Sequence, residues 1–224
     1  MLKIMTVIFM IFIAIFLKVF YKMNWSGVFS IIIFAIGSYF IYTDTVYYFF
    51  FVAFVFLGFI KLLRYLKTGF ADVNKYGAYT FICTMCIPLI LGIFRIEALV
   101  PIIFCCIGAL LIDTTSGELG QTFKGRTYTL IPFKKAPLGT EGGISLIGTL
   151  LGLLCGVIYI FGMGFISEIN HLFIILIISF LGNMVDSISG SLLQKKGLIN
   201  NNQNNLVAMI FVTIISTVIF LIIL

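Results

Sequence analysis

Two carboxylates each follow a long apolar stretch of the sequence. Asp113 follows the apolar residues 105–112, and Asp186 follows the apolar residues 174–185. Such positions lie at about headgroup depth, and an ionisable group there is a functional candidate because an unpaired carboxylate is costly to bury. Carboxylate oxygens are also ligands that Mg²⁺ prefers. We therefore predict that Asp113 and Asp186 bind Mg²⁺ or position a substrate.

Small residues follow both acids at the spacing of one helical face. They are Ser116, Gly117 and Gly120 after Asp113, and Ser189 and Gly190 after Asp186. Such a face admits either a close helix neighbour or a phosphate with its metal ion. Glu118 is a further catalytic candidate, although it lies about 140° around a helix from Asp113. Both can bind one ion only if the helix ends or bends between them.

The loop 113–143 combines glycine, hydroxyl and basic residues. Its candidate anion ligands, with the start of the next helix, are Arg126, Lys134, Lys135, Gly139, Thr140, Gly142, Gly143 and Ser145. The glycines let backbone N–H groups approach an anion, and the helix that begins here adds the positive end of its dipole. Together with carboxylates and Mg²⁺, these groups meet the needs of a phosphate ester. The alternative is a structural loop with glycine-mediated helix packing.

The elements that must position these residues are membrane helices. Apolar residues make up 62% of the 224 positions and charged residues 10%, which is far more apolar than a soluble domain. A spanning helix needs roughly 20 mostly apolar residues. We predict an all-α, polytopic integral membrane helix bundle of about eight (seven to nine) helices. The predicted spans lie at about 4–20, 26–42, 45–62, 78–94, 97–112, 144–165, 170–187 and 206–224.

The basic residues are divided unevenly between the two sides of these spans. Only Lys3 and Arg95 of the fourteen lie on one side, and the other twelve lie in the connections 18–25, 61–77, 113–143 and 188–205. Basic loops stay in the cytoplasm. We therefore predict a multi-pass protein of the cell (cytoplasmic) membrane, with cytoplasmic site loops and both termini outside. No soluble basic face is long enough for nucleic acid, so we predict no nucleic-acid partner.

Three motifs resemble those of the transmembrane protein 19-like family, which includes a plant phytyl-phosphate kinase. The motifs are Asp113-Thr114-x-x-x-Glu118-x-Gly120, Lys135-x-Pro137-x-Gly139-Thr140-x-Gly142-Gly143-x-Ser145-Leu146-x-Gly148-Thr149 and Gly182-x-x-x-Asp186-Ser187-x-x-Gly190-x-x-x-Gln194. The resemblance covers about residues 70–205. It divides the chain into N-terminal helices without recognised motifs, 1–69, and a family-like catalytic domain, 70–224, with motif loops 113–143 and 186–205.

The resemblance implies a membrane-embedded enzyme that phosphorylates an isoprenyl monophosphate to the diphosphate with a nucleoside triphosphate, CTP or similar. The predicted catalytic residues are Asp113, Glu118, Lys135 and Asp186, with Asp113 and Asp186 as the metal ligands. The predicted substrate and nucleotide ligands are Arg126, Lys134, Gly139, Thr140, Gly142, Gly143, Ser145, Ser187, Gly190, Gln194, Asn204 and Asn205.

Other functions stay open at this point. A looser likeness to dolichol and phytol kinases and to CTP-using phosphatidate cytidylyltransferases allows an isoprenoid alcohol kinase or a lipid-phosphate cytidylyltransferase. A small-solute transporter is a further alternative, because intramembrane acids and glycine-broken helices are typical of transporters. A non-enzymatic membrane component is another. The lipid chain length, the nucleotide and the oligomeric state do not follow from the sequence.

Overall fold

The computed structural model describes residues 100–162 and 169–223, together with scattered helical positions between residues 7 and 66. The predicted N-terminal unit 1–69 lies outside the two continuous ranges, so the count of about eight helices stays a prediction. Four predicted spans therefore lie outside the two continuous ranges. They are the spans at about 4–20, 26–42, 45–62 and 78–94.

The described part of the chain is mostly helical. Its helices are α1 (Val100–Thr122), α2 (Leu146–Phe161), α3 (Ile169–Ser189), a π-helical turn (Gly190–Gln194) that continues α3, and α4 (Asn201–Ile223). Three segments are long and apolar enough to cross a membrane, whereas α2 is a shorter apolar helix. These segments are Val100–Thr122, His171–Gln194 and Asn201–Ile223. The prediction of membrane helices is therefore confirmed for this part of the chain.

The helix α1 is longer than the predicted span at 97–112. Its apolar residues end at Ile112, but the helix continues to Thr122 through a polar segment. Much of that segment is buried, because α2 packs beside it: a Cβ atom on Gly148 would lie 3.0 Å from the Cα atom of Gly120. Contact with a neighbouring helix thus supports helical structure where hydropathy alone predicts an end.

The helices α1 and α3 run in the same direction. The hydroxyl of Ser179 donates a hydrogen bond to the carbonyl oxygen of Cys105 at 3.1 Å. One turn further along both helices, Gly182 packs against the side chain of Ala109. The same register continued for another turn brings residues 113 and 186 to corresponding positions.

The helices α2 and α4 run antiparallel to α1 and α3. Gly156, near the end of α2, packs against Ile112 on α1, whereas Gly148 near its start meets Gly120. At the far end of α4, the ring of Phe220 contacts that of His171, with 5.9 Å between ring centroids. The connections 123–145 and 195–200 therefore lie at the same end of the bundle.

The described residues include a small antiparallel sheet, which corrects the all-α prediction. Its strands are β1 (Thr127–Thr129), β2 (Lys134–Ala136) and β3 (Gly143–Ser145), in the order β2-β1-β3. Tyr128 pairs with Lys135 on one side and with Ile144 on the other. Each strand has only three residues, and the prolines and glycines between them interrupt any alternation, so the sequence gives no strand signal.

Ser145 joins this sheet to α2. It is the last residue of β3 and has an extended backbone. Its hydroxyl oxygen accepts a hydrogen bond from the backbone N–H of Gly148 at 3.1 Å, which satisfies one of the unpaired donors at the start of α2. The sheet is therefore attached to the bundle at the end where the connections lie.

Candidate active site

The two acids predicted from the sequence meet between α1 and α3. The carboxyl groups of Asp113 and Asp186 lie within hydrogen-bonding reach of each other, and both line a small cleft with Asn205. The close packing of Ala109 and Gly182 one turn earlier lets the two helices approach. Two carboxylates this close repel each other unless they share a proton or bind a cation.

Asn204, near the start of α4, holds Asp186 in place. Its Nδ2 donates hydrogen bonds to Oδ1 of Asp186 at 2.8 Å and to the backbone oxygen of Asp186 at 2.9 Å. Asn204 is only 2% exposed, and its Oδ1 has no hydrogen-bond partner among the described residues. The sequence predicted Asn204 as a substrate ligand; in the structure its amide nitrogen is used by Asp186, and its buried Oδ1 is left over.

The glycine-rich loop docks on the π-helical turn that follows Asp186. A Cβ atom on Gly190 would lie 2.9 Å from both N and Cα of Gly142, and one on Gly142 would lie 2.5 Å from the backbone oxygen of Ser187. Gly142 also has a φ of +67°, which favours glycine. Both positions therefore exclude larger side chains. This is the glycine-mediated packing that the sequence left open, and π-helical turns of this kind are frequent at functional sites.

The docked loop brings a third acid, Glu141, towards the pair. Its carboxylate interacts electrostatically with that of Asp186. Sequence reasoning left Glu141 out of the site, although its position directly before Gly142 inside the glycine motif is a usable signal. Among the described residues, no group of three or more carboxylate, imidazole or thiol side chains could hold a metal ion. Glu141 is thus a charged neighbour of the pair.

Glu118 lies on a different face of α1. The helix runs without interruption from Val100 to Thr122, so the condition for Glu118 and Asp113 to bind one ion, an end or bend between them, is not met. Glu118 is 3% exposed. The electrostatic interaction between Glu118 and Asp113 is weaker than the interaction between Asp186 and Asp113. The structure therefore brings Asp113 together with Asp186 and not with Glu118.

The remaining predicted loop ligands lie in the sheet and its turns. The hydroxyl of Thr140 donates to the backbone oxygen of Pro137 at 2.7 Å, and Ser145 caps α2. Gly143 belongs to β3, and Gly139 lies in an exposed turn with a φ of +81°. The two hydroxyls have partners within this connection and its helix start, so they contribute to its folding.

Besides Gly190 and Asn204, three further predicted ligands follow Asp186 along the chain. Ser187 is buried directly after it, and Asn205 lines the cleft. Gln194 ends the π-helical turn. Asn205 is therefore the predicted amide that borders the space between the acids, while its neighbour Asn204 is engaged with Asp186.

The predicted phosphate clamps are basic and exposed. Arg126 precedes β1, and Lys134 and Lys135 lie on β2, which is an edge strand of the sheet. In the part of the chain that the structure describes, none of the three forms an ion pair with Asp113 or Asp186. They share the end of the bundle with the acids, but they are free to receive an anion.

The acid pair lies at the edge of the lipid-facing surface. On α3 the exposed apolar side chains include Ile177 and Leu181, and Asp186 follows Leu181 by five residues, about 7.5 Å along a helix. On α4 the exposed apolar residues begin at Val207, three residues after Asn204. Asp186 and its partner Asn204 are thus close to the boundary between apolar and polar surface on these two helices.

The groups at the pair fit a hard divalent cation. Two carboxylates face each other, and the Oδ1 atom of Asn204 is buried without a hydrogen-bond partner among the described residues. Mg²⁺ is commonly held by one or two carboxylates, with waters and substrate phosphates completing its ligands. Asp113 and Asp186 are therefore the residues that would hold such an ion.

The fold and site define a class of integral membrane protein with paired carboxylates at one end of its helices. The chain matches the family described as Integral membrane protein DUF92 over residues 7–213, and it belongs to that family. The resemblance to the transmembrane protein 19-like family is thereby confirmed.

Three relatives share part of this sequence. Uncharacterized membrane protein MJ0933 of Methanocaldococcus jannaschii is 34% identical over 115 residues, which cover 51% of this chain and 48% of the relative. Uncharacterized membrane protein sll0875 of Synechocystis is 34% identical over 38% of this chain and 34% of its own. Protein VTE6, chloroplastic, of Arabidopsis thaliana is 37% identical over 38% of this chain and 26% of its own. Each match covers less than half of the relative. No solved structure matches the chain.

The link between Asn204 and Asp186 can be measured by a double-mutant cycle. We expect Asn204→Ala to lower the free energy of unfolding in detergent by about 1–3 kcal/mol, because Asp186 loses two hydrogen bonds. In an Asp186→Ala background the same change should cost at least about 1 kcal/mol less. Val207→Ala, at an exposed position of the same helix, is the control and should change stability by under about 0.5 kcal/mol. An equal loss of unfolding free energy in both backgrounds would show that Asn204 stabilises the protein independently of Asp186.

Proposed function

We propose that this protein is a membrane-embedded kinase that transfers a phosphoryl group from a nucleoside triphosphate, CTP or similar, to an isoprenyl monophosphate. The observation that supports this most is the meeting of Asp113 and Asp186 beside the docked glycine loop. Paired carboxylates, a glycine-rich turn and cations at one end of a bundle are the groups that phosphoryl transfer between two anions requires. Membership of the family supports the same proposal.

The reaction joins two phosphates. An oxygen of the isoprenyl monophosphate attacks the γ-phosphorus, the bond from that phosphorus to the β–γ bridging oxygen breaks, and the nucleoside diphosphate leaves. The attacking oxygen is already anionic, so no base has to remove a proton from it. The protein's work is then to align the two phosphates and offset their mutual repulsion.

The residues around the pair divide this work. Asp113 and Asp186 would hold Mg²⁺, which when bound neutralises charge on the phosphoryl oxygens. Asn204 keeps the Asp186 carboxylate in one orientation through its hydrogen bonds. The contact between Gly142 and Gly190 fixes the loop against the acid-bearing helix, so that the loop and the acids act as one unit.

The exposed cations receive the substrates. Arg126, Lys134 and Lys135 form a positive region at the end of the bundle where the acids lie, and such a region raises the local concentration of anions. The isoprenyl tail would stay in the bilayer, with its phosphate at the headgroup plane. The nucleotide would arrive from the cytoplasm, the side that the asymmetry of basic residues assigns to these connections.

The helix directions favour an enzyme over a small-solute transporter. Transporter sites typically lie near the bilayer midplane, between repeats that are often inverted with respect to each other. Here the two acid-bearing helices are parallel, and Asp186 lies near the boundary of the apolar surface of α3. Such a position suits a lipid headgroup more than a solute that has to cross.

Replacement of either acid should lower the enzymatic activity without lowering the stability of the protein. We expect Asp113→Asn and Asp186→Asn each to lower turnover by at least ~100-fold, because a metal-binding charge contributes several kcal/mol to the transition state and each 1.36 kcal/mol is tenfold. The melting temperature in detergent should not fall, since one of two repelling charges is removed. Glu97→Gln is the activity control, because Glu97 begins the predicted span 97–112 and is therefore expected at the end opposite Asp113, beside Arg95. Near-normal turnover in either acid variant would assign that residue to packing.

The choice of acceptor separates the proposed kinase from the related activities. An alcohol must lose a proton as it attacks, whereas a monophosphate needs cations to bring two anions together. We expect geranylgeranyl or phytyl monophosphate to be phosphorylated and the matching alcohols not to be. Lys135→Ala should raise KM for the monophosphate several-fold.

Two labelled donors make this assay decisive. Transfer of label from the γ-phosphate to the lipid is expected for the kinase, whereas transfer from the α-phosphate indicates a cytidylyltransferase. Faster phosphorylation of the free alcohol by the same preparation would move the protein to the alcohol kinases.

A further inference from the structure

The hairpin formed by β1 and β2 has an exposed apolar tip. Phe133 is 72% exposed and Ile131 is 43% exposed. The ring of Phe133 stacks on that of Tyr128, with 5.4 Å between centroids and 4° between planes. The stacking fixes the orientation of the aromatic side chain, so the tip is a defined apolar surface. Exposure of such a ring to water is unfavourable, and grouped exposed apolar residues mark a binding surface.

Two cations directly follow the tip in sequence. Lys134 and Lys135 directly follow Phe133 on the edge strand β2, and both are exposed. Lys124 and Arg126, just before β1 at the other end of the hairpin, are exposed as well. Apolar side chains beside Lys and Arg are typical of segments that lie in the headgroup region, where the rings enter the acyl boundary and the cations meet phosphates.

The sheet that carries the tip is continuous with a helix that has an exposed apolar face. The strand β1 also pairs with β3, which leads directly into α2 through Ser145. The exposed face of α2 is an apolar stripe that begins at Leu146 and continues through Leu150 and Leu154. This spacing of four residues is one face of a helix, and in a membrane bundle an exposed apolar face contacts lipid. The apolar stripe of α2 therefore begins directly after β3, beside Thr127 at the end of β1 that lies away from the tip.

We propose that the β1–β2 hairpin lies in the headgroup layer of the bilayer that the helices cross, on the side of the acid pair. The apolar tip, Ile131 and Phe133, contacts the upper acyl chains. Lys134 and Lys135 bind the phosphates of anionic lipids at this surface, of which a membrane-bound isoprenyl monophosphate is one. This inference concerns the bilayer surface and does not depend on phosphoryl transfer.

Fluorescence of a tryptophan at the tip tests this placement. The chain has one tryptophan, Trp25, so the full-length variant is Phe133→Trp in a Trp25→Phe background, reconstituted in nanodiscs. Lipids brominated near the headgroup should quench the tip tryptophan and shift its emission to shorter wavelength. Ile177→Trp in the same background, at an exposed position within α3, is the control for a membrane-embedded residue and should be quenched by lipids brominated deeper.

The lipid charge tests the role of the lysines. We expect quenching of the tip tryptophan to be at least about twofold stronger in nanodiscs with phosphatidylglycerol than in phosphatidylcholine alone, because each lysine near an anionic surface is attracted to it. Lys134→Gln with Lys135→Gln should remove most of that difference. An unquenched, water-like emission of the tip tryptophan in both lipid compositions would overturn the proposal. The apolar tip would then be a contact surface for a soluble protein. Equal quenching in both compositions would overturn the role of anionic headgroups.

Discussion

Two carboxylates held against each other between parallel helices are the constraint on which the rest of this site depends. Like charges in contact are unfavourable, and in a region of low dielectric the cost is larger than in water. The arrangement persists because α1 and α3 are joined one and two turns earlier by Gly182 on Ala109 and by Ser179 on Cys105. A shared proton or a bound cation offsets the remaining repulsion.

The other elements can be understood as support for that pair. Asn204 ties the start of α4 to Asp186 with two hydrogen bonds. The turn at Gly142 docks on Gly190 directly after the acid-bearing part of α3. Both contacts come from segments that are far apart in sequence. The acids, the loop and α4 are thereby linked, which would give the proposed site for two phosphates the rigidity it needs.

Much of this arrangement follows from the sequence, and the rest does not for identifiable reasons. Asp113 and Asp186 were identified because each ends an apolar stretch, and the helical spans near them follow from hydropathy. The continuation of α1 to Thr122 depends on packing against α2, which hydropathy does not report. The three strands are too short to carry a pattern.

The partners of individual side chains were the least predictable part of the site. Asn204 was identified as a polar residue near a phosphate, but only the fold shows that its amide is used by Asp186. Glu141 was missed because its approach to Asp186 depends on the docking of Gly142 on Gly190. Such contacts between distant segments require the register of three helices, which one sequence does not give.

The central claim is that Asp113 and Asp186 together form a divalent-cation site for a phosphate substrate. Binding of Mn²⁺, which takes the same oxygen ligands as Mg²⁺, measures this most directly by electron paramagnetic resonance on the purified protein in nanodiscs with an isoprenyl monophosphate present. The account predicts a class of bound Mn²⁺ that is lost in Asp113→Asn and in Asp186→Asn and retained in Glu97→Gln. Unchanged Mn²⁺ binding in both acid variants would contradict it.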